Sequence, residues 1–424
     1  MIRKIALISD HASPLASAGG VDSGGQNIYV AQVARHIARL GFTVDVFTRR
    51  DSAKLPQIVE MAPRLRVVHV PAGPAHFVRK EDLLPLMDEF YAYVRDFASA
   101  QGGYHLVHAN FFMSALVAMR LKQDFGTPFV ITFHALGRVR RLHQNDADQF
   151  PSVRIEIEDE AIAQADAIIA ECPQDESDLT TLYPAEPDKV TVIPCGFDKA
   201  EFWPIARPFA RRALGFDPKE RIVLNIGRLV PRKGIDNTIR ALGRLARQYG
   251  TVAKLVVVGG NSDLPCPLLT PEIGRLQEIA AQEGVSEQLL FTGRRSREFL
   301  KLYYNAADVF VTTPWYEPFG ITPLEAMACG TPVVGAEVGG IKYSVSDGFT
   351  GNLVPPNDPD ALAAALAKLY RDPDYRKELG RNAIDRVHEQ FTWGKVSASI
   401  AALYQDVLGG TAARRFTARV AVAA

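Results

Sequence analysis

Short runs of apolar residues alternate along the chain with longer segments whose apolar positions recur every three or four residues. The apolar runs are continuous, which is typical of strands buried on both faces of a parallel sheet. In the first half they predict strands at residues 5–9, 44–48, 67–70, 106–109, 129–133, 167–170 and 190–193. The segments between them predict helices at residues 26–40, 81–98, 111–125 and 153–164. This order of elements indicates a doubly wound α/β domain.

A proline-containing stretch at residues 197–218 interrupts this pattern, which then starts again. The second half predicts strands at residues 222–226, 254–258, 289–291, 309–312 and 332–335, and helices at residues 236–248, 272–282 and 296–305. The tail predicts helices at residues 360–369, 375–390 and 395–408, and residues 409–424 lack periodicity and are expected to be loosely held. We therefore expect two Rossmann-like domains, at residues 1–204 and 205–394, followed by a helical segment at residues 395–424.

Composition narrows the classes of protein that fit. The chain has 424 residues, too many for one ordinary core, and its 48 basic and 48 acidic residues balance, which argues against nucleic-acid binding. Four dispersed cysteines indicate reduced thiols in a cytoplasmic protein. The apolar N-terminal run ends at Asp10 and His11, so we interpret it as a buried strand rather than a signal peptide. No apolar stretch approaches the ~18 residues of a membrane span, so stable membrane insertion is not expected.

The most specific motif lies at residues 317–325, Glu-Pro-Phe-Gly-Ile-Thr-Pro-Leu-Glu, after the predicted strand at residues 309–312. Pro323 suits the first turn of a helix, where its missing N–H would have no partner anyway. Glu317 then lies in the loop and Glu325 early in the helix. Carboxylates there can accept hydrogen bonds from sugar hydroxyls, while free amides at the helix start donate others. Taken alone, Glu325 is better explained as an acid favoured in a first helical turn.

A basic turn with two glycines follows the predicted strand at residues 222–226. Residues 227–234 read Gly-Arg-Leu-Val-Pro-Arg-Lys-Gly and precede a predicted helix. Arg228 and Lys233 would place cations at the carboxyl edge of the sheet beside a helix N-terminus, which suits a diphosphate. A solvated basic turn explains this segment alone about equally well. Because ligands bind at the carboxyl ends of parallel strands, two such domains facing each other would form a cleft for two substrates.

Together these motifs resemble those of the retaining glycosyltransferases with the GT-B fold, in which two Rossmann-like domains face a central cleft. The resemblance covers nearly the whole chain. Three N-terminal segments are similar to the branch containing sucrose synthase, sucrose-phosphate synthase and an inositol-phosphate N-acetylglucosaminyltransferase: Val-Asp-Ser-Gly-Gly-Gln at residues 21–26, Arg-Lys-Glu-Asp-Leu at residues 79–83, and Thr-Phe-His-Ala-Leu-Gly-Arg at residues 132–138. The resemblance implies transfer of a hexosyl group from a nucleotide diphosphate sugar, UDP-glucose-like, to a small polar acceptor such as a sugar or sugar phosphate.

The resemblance also implies roles for individual residues. Arg228 and Lys233 would bind the donor diphosphate, and with Glu317 and His134 at the reacting sugar they form the expected catalytic set. Glu325 would hold the ribose hydroxyls. The expected donor site comprises Gly24, Gly25, Arg228, Lys233, Arg294, Glu317, Phe319, Gly320, Ile321, Thr322 and Glu325, with the loop at residues 293–294 facing the nucleobase.

The acceptor site is expected in the N-terminal domain. In related enzymes with phosphorylated acceptors a basic cluster holds the phosphate, and the candidates here are Arg79, Lys80, Arg138, Arg140, Arg141 and Arg154. Ordinary surface charge explains this cluster about equally well. The expected acceptor residues are Lys80, Asn110, Phe111, Arg138 and Arg154. Phe111 and Ala135 stand where the inositol-phosphate enzyme carries a tyrosine and a threonine, which disfavours inositol phosphate and favours a sugar or sugar phosphate.

The resemblance implies that the anomeric configuration is retained, and the sequence does not separate a double displacement from a same-face route. The family favours the same-face route, in which the leaving phosphate oxygen takes the acceptor's proton. Arg228 and Lys233 would stabilise the leaving diphosphate, at ~3–4 kcal/mol for a well-placed donor. We therefore expect no metal and no other cofactor. Two further expectations are domain closure, with hinges near residues 198–204 and 391–393, and a C-terminal helix that crosses back to the first domain.

Other functions remain as alternatives. A peripheral-membrane glycosyltransferase with a lipid-linked or polysaccharide acceptor would use a basic amphipathic surface, and Arg35, His36 and Arg39 lie on the helix predicted at residues 26–40. A sugar-nucleotide epimerase or a phosphorylase could use the same fold, the latter through a lysine bound to pyridoxal phosphate. A non-catalytic nucleotide-binding module is the third. The expected partners are the donor and acceptor, without nucleic acid, and a homodimer is left open.

Overall fold

The computed structural model describes residues 3–16, 24–144 and 148–422, with side chains as far as residue 410. The chain divides into two compact units. The first comprises Met1–Ala16, Gln26–Pro194 and Trp393–Ala424, and the second comprises Ser17–Gly25 and Cys195–Thr392.

An eight-stranded sheet forms the centre of the first unit. Its strands are β1 (Lys4–Ile8), β2 (Thr43–Arg49), β3 (Ile58–Ala62), β4 (Leu65–Val70), β5 (Leu106–Asn110), β6 (Phe129–Thr132), β7 (Ala167–Ala170) and β8 (Val190–Val192). The helices are α1 (Gly25–Arg39), α2 (Met87–Ala100), α3 (Phe112–Phe125), α4 (Gly137–Gln144), α5 (Arg154–Gln164) and α6 (Pro173–Thr181). The strand order is β3-β4-β2-β1-β5-β6-β7-β8, and every pair except β3–β4 is parallel.

A six-stranded parallel sheet forms the centre of the second unit. Its strands are β9 (Ile222–Ile226), β10 (Lys254–Val258), β11 (Leu289–Gly293), β12 (Val309–Thr312), β13 (Val333–Ala336) and β14 (Gly351–Val354), in the order β11-β10-β9-β12-β13-β14. The helices are α7 (Arg207–Leu214), α8 (Ile235–Tyr249), α9 (Pro271–Glu283), α10 (Arg297–Ala306), α11 (Ile321–Ala328), α12 (Gly339–Ser344), α13 (Pro359–Arg371) and α14 (Pro373–Gln390). The predicted architecture of two doubly wound parallel sheets is confirmed.

The last helix, α15 (Trp393–Val422), groups with the first unit. The prediction that helical structure ends at residue 408 is wrong, because α15 continues through two glycines to Val422. Its Tyr404 is buried and its hydroxyl lies 2.6 Å from Nδ1 of His108 on β5. Burial, and then the nearby His134, lower the pKa of His108 to about 3, so this histidine is neutral and structural.

Two other elements differ from their predictions for local reasons. The helix expected from residue 81 starts as α2 at Met87, after short 3-10 turns at Lys80–Asp82 and Leu84–Leu86. Pro85 explains the delay, because it has no backbone N–H to donate to the carbonyl of Glu81, as an α-helix through this segment would require. Strand β3 was not predicted, since it is an antiparallel edge strand whose residues are half-buried or exposed and lack a continuous buried apolar run.

The strand order places a crevice in each unit. In the first unit the order reverses between β1 and β5, and in the second unit between β9 and β12. Helices on either side of such a point diverge, which leaves room for a ligand outside the carboxyl ends of the two strands. The loops after these four strands are therefore where each unit is expected to bind.

Candidate functional site

In the second unit, the loops after β9 and β12 pack directly against each other. Gly234 ends the loop after β9 with φ 65°, and a Cβ there would lie 1.9 Å from the backbone oxygen of Thr313. The hydroxyl of Thr313 donates back to the Gly234 carbonyl at 2.9 Å. Only glycine fits this contact, and it brings the two predicted motifs to one place.

An ion-pair cluster forms where these loops meet. The ammonium of Lys233 donates to Oε2 of Glu317, and Nη1 of Arg232 lies 3.8 Å from the same oxygen. Burial would raise the pKa of Glu317, but the charges of Lys233, Arg232 and Arg228 together lower it, so the carboxylate stays ionised. Burial is also the largest influence on the pKa of Lys233, which is lowered. Three cations against one carboxylate leave this crevice positive, as a diphosphate site requires.

Glu325 lies deeper, on α11, and is 1% exposed. The hydroxyl of Tyr304 donates to its Oε2 at 2.9 Å, and Nη2 of Arg297 lies 2.8 Å from its Oε1. Burial raises the pKa of Glu325, while Arg297 and Tyr304 oppose that rise. The two carboxylates of the motif thus have separate partners, and Glu325 stands in a buried network that its position in the sequence did not reveal.

The turn before α11 carries the other predicted donor residues. Phe319 is buried, Gly320 has φ 91°, and the backbone of Ile321 and Thr322 opens the helix. Here the structure adds two residues that the sequence reading missed, Gly339 and Gly340, at the start of α12.

Both added glycines touch the motif so closely that a side chain would not fit. A Cβ on Gly339 would lie 1.9 Å from the Glu317 carbonyl oxygen, and one on Gly340 would lie 2.4 Å from Cα of Phe319. The amide of Gly340 donates to the Glu317 carbonyl at 3.3 Å. A glycine pair two residues after the buried strand β13 is the feature of the sequence that could have indicated them. Gly339 and Gly340 hold the loop that carries Glu317.

The remaining predicted donor residues lie in two places. After β11, the backbone amide of Arg294 donates to the Ser262 carbonyl at 2.8 Å. The side-chain Nε of Arg294 lies 3.0 Å from Oδ1 of Asp263. Gly24 and Gly25 group with the second unit, and a Cβ on Gly24 would be 3.9 Å from Cδ of Arg228. The motif residues 21–23 lie outside the described residues.

In the first unit, His134 follows β6 in left-handed backbone conformation, with φ 58°. Its Nδ1 lies 3.0 Å from Oε1 of Glu171, and its Nε2 lies 3.1 Å from Oδ1 of Asn110. The amide nitrogen of Asn110 donates to the carbonyls of Ile8 and His108, which fixes its oxygen towards His134. Glu171, at the end of β7, is a further residue that the sequence reading missed, because its partner lies 37 positions away.

Asp10 and His11 form a second polar pair, at the carboxyl end of β1. Oδ2 of Asp10 lies 2.8 Å from Nδ1 of His11, and its Oδ1 accepts from the Ser114 hydroxyl at 2.5 Å. The His11 ring contacts the edge of Phe111, which has the unusual φ of 89°. Strained backbone of this kind clusters at functional sites. His11 therefore lies beside an expected acceptor residue, although the sequence suggested for it only the end of a strand.

The predicted basic cluster is largely paired with acids. Arg154 is 1% exposed, its Nε lies 2.7 Å from Oε1 of Glu158, and its guanidinium packs over three aromatic rings. Arg138 makes two contacts with Asp159, at 2.5 and 2.7 Å. The other arginines also contact acids or carbonyl oxygens: Arg140 contacts Asp148, Arg141 contacts the Ser152 carbonyl, and Arg79 contacts Glu81, Asp82 and Gln149. Lys80 opens a 3-10 turn. The structure thus brings Asn110, Phe111 and Arg154 together with His134 and His11.

The described residues contain no group of three or more histidine, cysteine, aspartate or glutamate side chains arranged to hold a metal ion. Two of the three Asp-x-Asp spacings in the sequence are explained by helix capping, since Asp358 accepts from backbone amides of α13 and Asp372 from one of α14. None of the helices in the described ranges combines the length and apolarity that crossing a membrane requires.

Comparison with known sequences gives consistent matches. Residues 206–386 match the family model "Glycosyl transferases group 1", and residues 24–196 match "Glycosyl transferase 4-like domain". A D-inositol 3-phosphate glycosyltransferase of Actinosynnema mirum is 37% identical over 95% of this chain and 97% of its own length. D-inositol 3-phosphate glycosyltransferase 2 of Catenulispora acidiphila is 36% identical, over 98% of this chain and 97% of its own.

Solved structures give a parallel result. A sucrose-phosphate synthase from Thermosynechococcus elongatus superimposes with a TM-score of 0.88 at 33% identity, over 96% of this chain and 100% of that one. The Anabaena protein HepE in complex with UDP-glucose superimposes with a TM-score of 0.73 over 95% of this chain and 99% of that one. At 21% identity, HepE supports the fold alone.

Proposed function

This chain belongs to the group 1 glycosyltransferases, and we propose that it moves a hexosyl group from a UDP-glucose-like donor to a sugar or sugar phosphate. The observation that carries the proposal is the positive crevice of Arg228, Arg232 and Lys233 around Glu317, at the reversal of strand order between β9 and β12. A diphosphate there would meet cations that are already in place, so little reorganisation is needed as charge develops on the leaving oxygen. Relatives described as acting on D-inositol 3-phosphate, and a sucrose-phosphate synthase, support a small polar acceptor.

Retention by a same-face route is part of the proposal. In such a step the acceptor oxygen bonds to the anomeric carbon as the bond to the diphosphate breaks, and the leaving phosphate oxygen takes the acceptor's proton. The state of Glu317 supports this route, because a carboxylate held by Lys233 and Arg232 with a lowered pKa is a weak nucleophile. The same cations support metal independence. Proton NMR of the product's anomeric centre, and activity in the presence of a chelator, test these two points.

The expected acceptor residues Asn110, Phe111 and Arg154 form one contact group beside His134. Nη1 of Arg154 is buried without a hydrogen-bond partner among the described residues, so it retains a donor for an acceptor oxygen. Lys80 and Arg138 complete the proposed acceptor set. We also propose a cytoplasmic location, since all four cysteines are free thiols and three of them are buried.

The test of the donor site is a binding series with UDP, GDP, ADP and their glucose conjugates, measured by calorimetry. We expect one nucleotide diphosphate to bind, and Lys233→Met to weaken it at least ~10-fold, because an ammonium–phosphate contact is lost. The parent nucleoside, which has no phosphate, should bind both proteins equally. Lys377→Met is the matched control, since Lys377 is 71% exposed and pairs with the neighbouring Asp374. Equal loss in both variants, or no nucleotide binding at all, would contradict the proposed donor site.

A further inference from the structure

Arg297, at the start of α10, stands between two carboxylates from distant parts of the chain. Its Nε contacts Oε2 of Glu201, and its Nη2 lies 2.8 Å from Oε1 of Glu325. Its guanidinium also packs over the ring of Phe202 at 4.8 Å. The side chain is thus held on one side by Glu201 and Phe202 and is presented on the other side to Glu325.

The contact between Arg297 and Glu325 leaves acceptor capacity on the carboxylate. Nη2 of Arg297 lies 2.8 Å from Oε1 of Glu325, and both atoms are fully buried. The other oxygen of Glu325 accepts from the Tyr304 hydroxyl. Each carboxylate oxygen has two lone pairs, so Oε1, with the guanidinium as its one close polar contact among the described residues, retains capacity for a hydroxyl donor.

Arg297 is the main group that opposes protonation of Glu325. Burial raises the pKa of this carboxyl, the charge of Glu201 raises it further, and Arg297 is the largest influence in the opposite direction. Tyr304 donates to the carboxylate but carries no charge, and Cys329 faces it as a neutral buried thiol. Without the guanidinium, nothing in this group would balance the burial of a negative charge.

We propose that Arg297 is a positioning residue for the donor: it favours the ionised form of Glu325 and holds its Oε1 ready for a ribose hydroxyl. This inference rests on the proposed donor site, in which Glu325 contacts the ribose. A carboxylate can accept hydrogen bonds from both ribose hydroxyls, whereas a protonated carboxyl has to use one oxygen as a donor. Arg297 therefore acts through Glu325 without contacting the nucleotide.

Loss of the ribose hydroxyls provides a test that a merely structural role would not affect. The affinities of UDP and of 2′,3′-dideoxy-UDP are measured by calorimetry for the wild type, Arg297→Met and Arg297→Lys. We expect the wild type to prefer UDP by at least ~10-fold, the value of hydrogen bonds to a charged group. Arg297→Met should lose most of this preference through weaker UDP binding, with dideoxy-UDP affected less than ~2-fold. Arg297→Lys, which keeps the charge, should restore part of it.

The pH dependence provides a second readout. Removal of Arg297 lets burial raise the pKa of Glu325 further, so as the pH is lowered the remaining preference for UDP should fall at a higher pH in Arg297→Met than in the wild type, because the carboxyl takes up a proton earlier. Glu201→Gln is the matched control, because its amide oxygen can still accept from Nε of Arg297, and it should keep the wild-type preference. If Arg297→Met does not fold, Arg297→Gln replaces it with the same expectation.

The outcomes separate the two proposals. An equal loss of UDP and dideoxy-UDP affinity in the Arg297 variants would overturn the positioning role and leave the donor site intact. A wild type that binds UDP without any preference for the hydroxyls would overturn it as well, because Glu325 would then not contact the ribose. A wild type that binds no nucleotide diphosphate would instead overturn the proposed function itself.

Discussion

Replacing Arg154 with methionine should destabilise the first unit strongly, because it strands a buried carboxylate. Arg154 and Glu158 are 1% and 0% exposed, and their contact at 2.7 Å is the only ion pair of Glu158 among the described residues. Methionine fills much of the volume and keeps apolar contact with the surrounding aromatic rings. The lost guanidinium leaves Glu158 with hydrogen bonds from the Tyr183 hydroxyl and the Gly137 amide, but with no counter-charge.

The magnitude follows from this burial. Removing one partner of a buried ion pair costs about 3–5 kcal/mol, most of it the desolvation of the remaining charge. For a unit of about 200 residues, each kcal/mol lowers the melting temperature by roughly 2–4 °C, so a loss of roughly 6–20 °C is expected. Differential scanning calorimetry of the full chain measures this shift.

Two further variants test the reasoning. Arg138→Met breaks the Arg138–Asp159 pair, whose side chains are 32% and 34% exposed, and should cost less than about 1 kcal/mol. The double variant Arg154→Met, Glu158→Gln removes the stranded charge, so it should melt above Arg154→Met alone. A double variant that melts lower than Arg154→Met, or an Arg138→Met as unstable as Arg154→Met, would refute the account of Arg154 as a charge required by Glu158.

Two more predictions concern a half-buried acid and a glycine. Burial, and then the charge of Glu171, raise the pKa of Asp175 to about 8, so the folded chain holds a proton that the unfolded chain releases above about pH 4. The free energy of unfolding should therefore fall as pH rises from about 4 to 8. Asp175→Asn should raise it by about 1–3 kcal/mol, measured by urea unfolding, and by more at pH 8 than at pH 5. An equal gain at the two pH values would contradict this. Gly234→Ala should cost at least about 2 kcal/mol and weaken nucleotide binding, because its Cβ would meet the Thr313 oxygen at 1.9 Å with φ at 65°. Gly215→Ala is its control, with a similar φ of 73° but open space, and should cost only about 1 kcal/mol; equal losses would refute the clash.

The sequence predicted the parallel-sheet elements well because burial on both faces leaves a continuous apolar run. Strands such as β1 and β9 are almost wholly buried and lie within two residues of their predicted bounds. Elements without that signal were missed, as with the exposed edge strand β3 and the short strand β14, which contains glycine and asparagine. The C-terminal helix α15 is longer than predicted, because two glycines and the lack of apolar periodicity do not prevent a helix from continuing.

The sequence by itself determined which residues collect at the carboxyl ends of the strands. A motif directly after a buried parallel strand must lie at that edge, so the sequence alone places the basic turn after β9 and the Glu-x7-Glu loop after β12 at the same edge of one sheet. The same rule placed His134 after β6. The family could also be recognised from the sequence, because the spacing of these motifs along the chain is visible without a structure.

Only the tertiary structure decided which charge pairs with which. Glu317 forms an ion pair with Lys233, Glu325 forms one with Arg297, and His134 contacts Glu171. In each case the two residues are more than twenty positions apart in the sequence. Such pairings depend on sheet order, helix placement and burial, and a carboxylate's protonation depends on all three. The sequence could therefore nominate the residues of the site, but their charge and readiness to bind came from the fold.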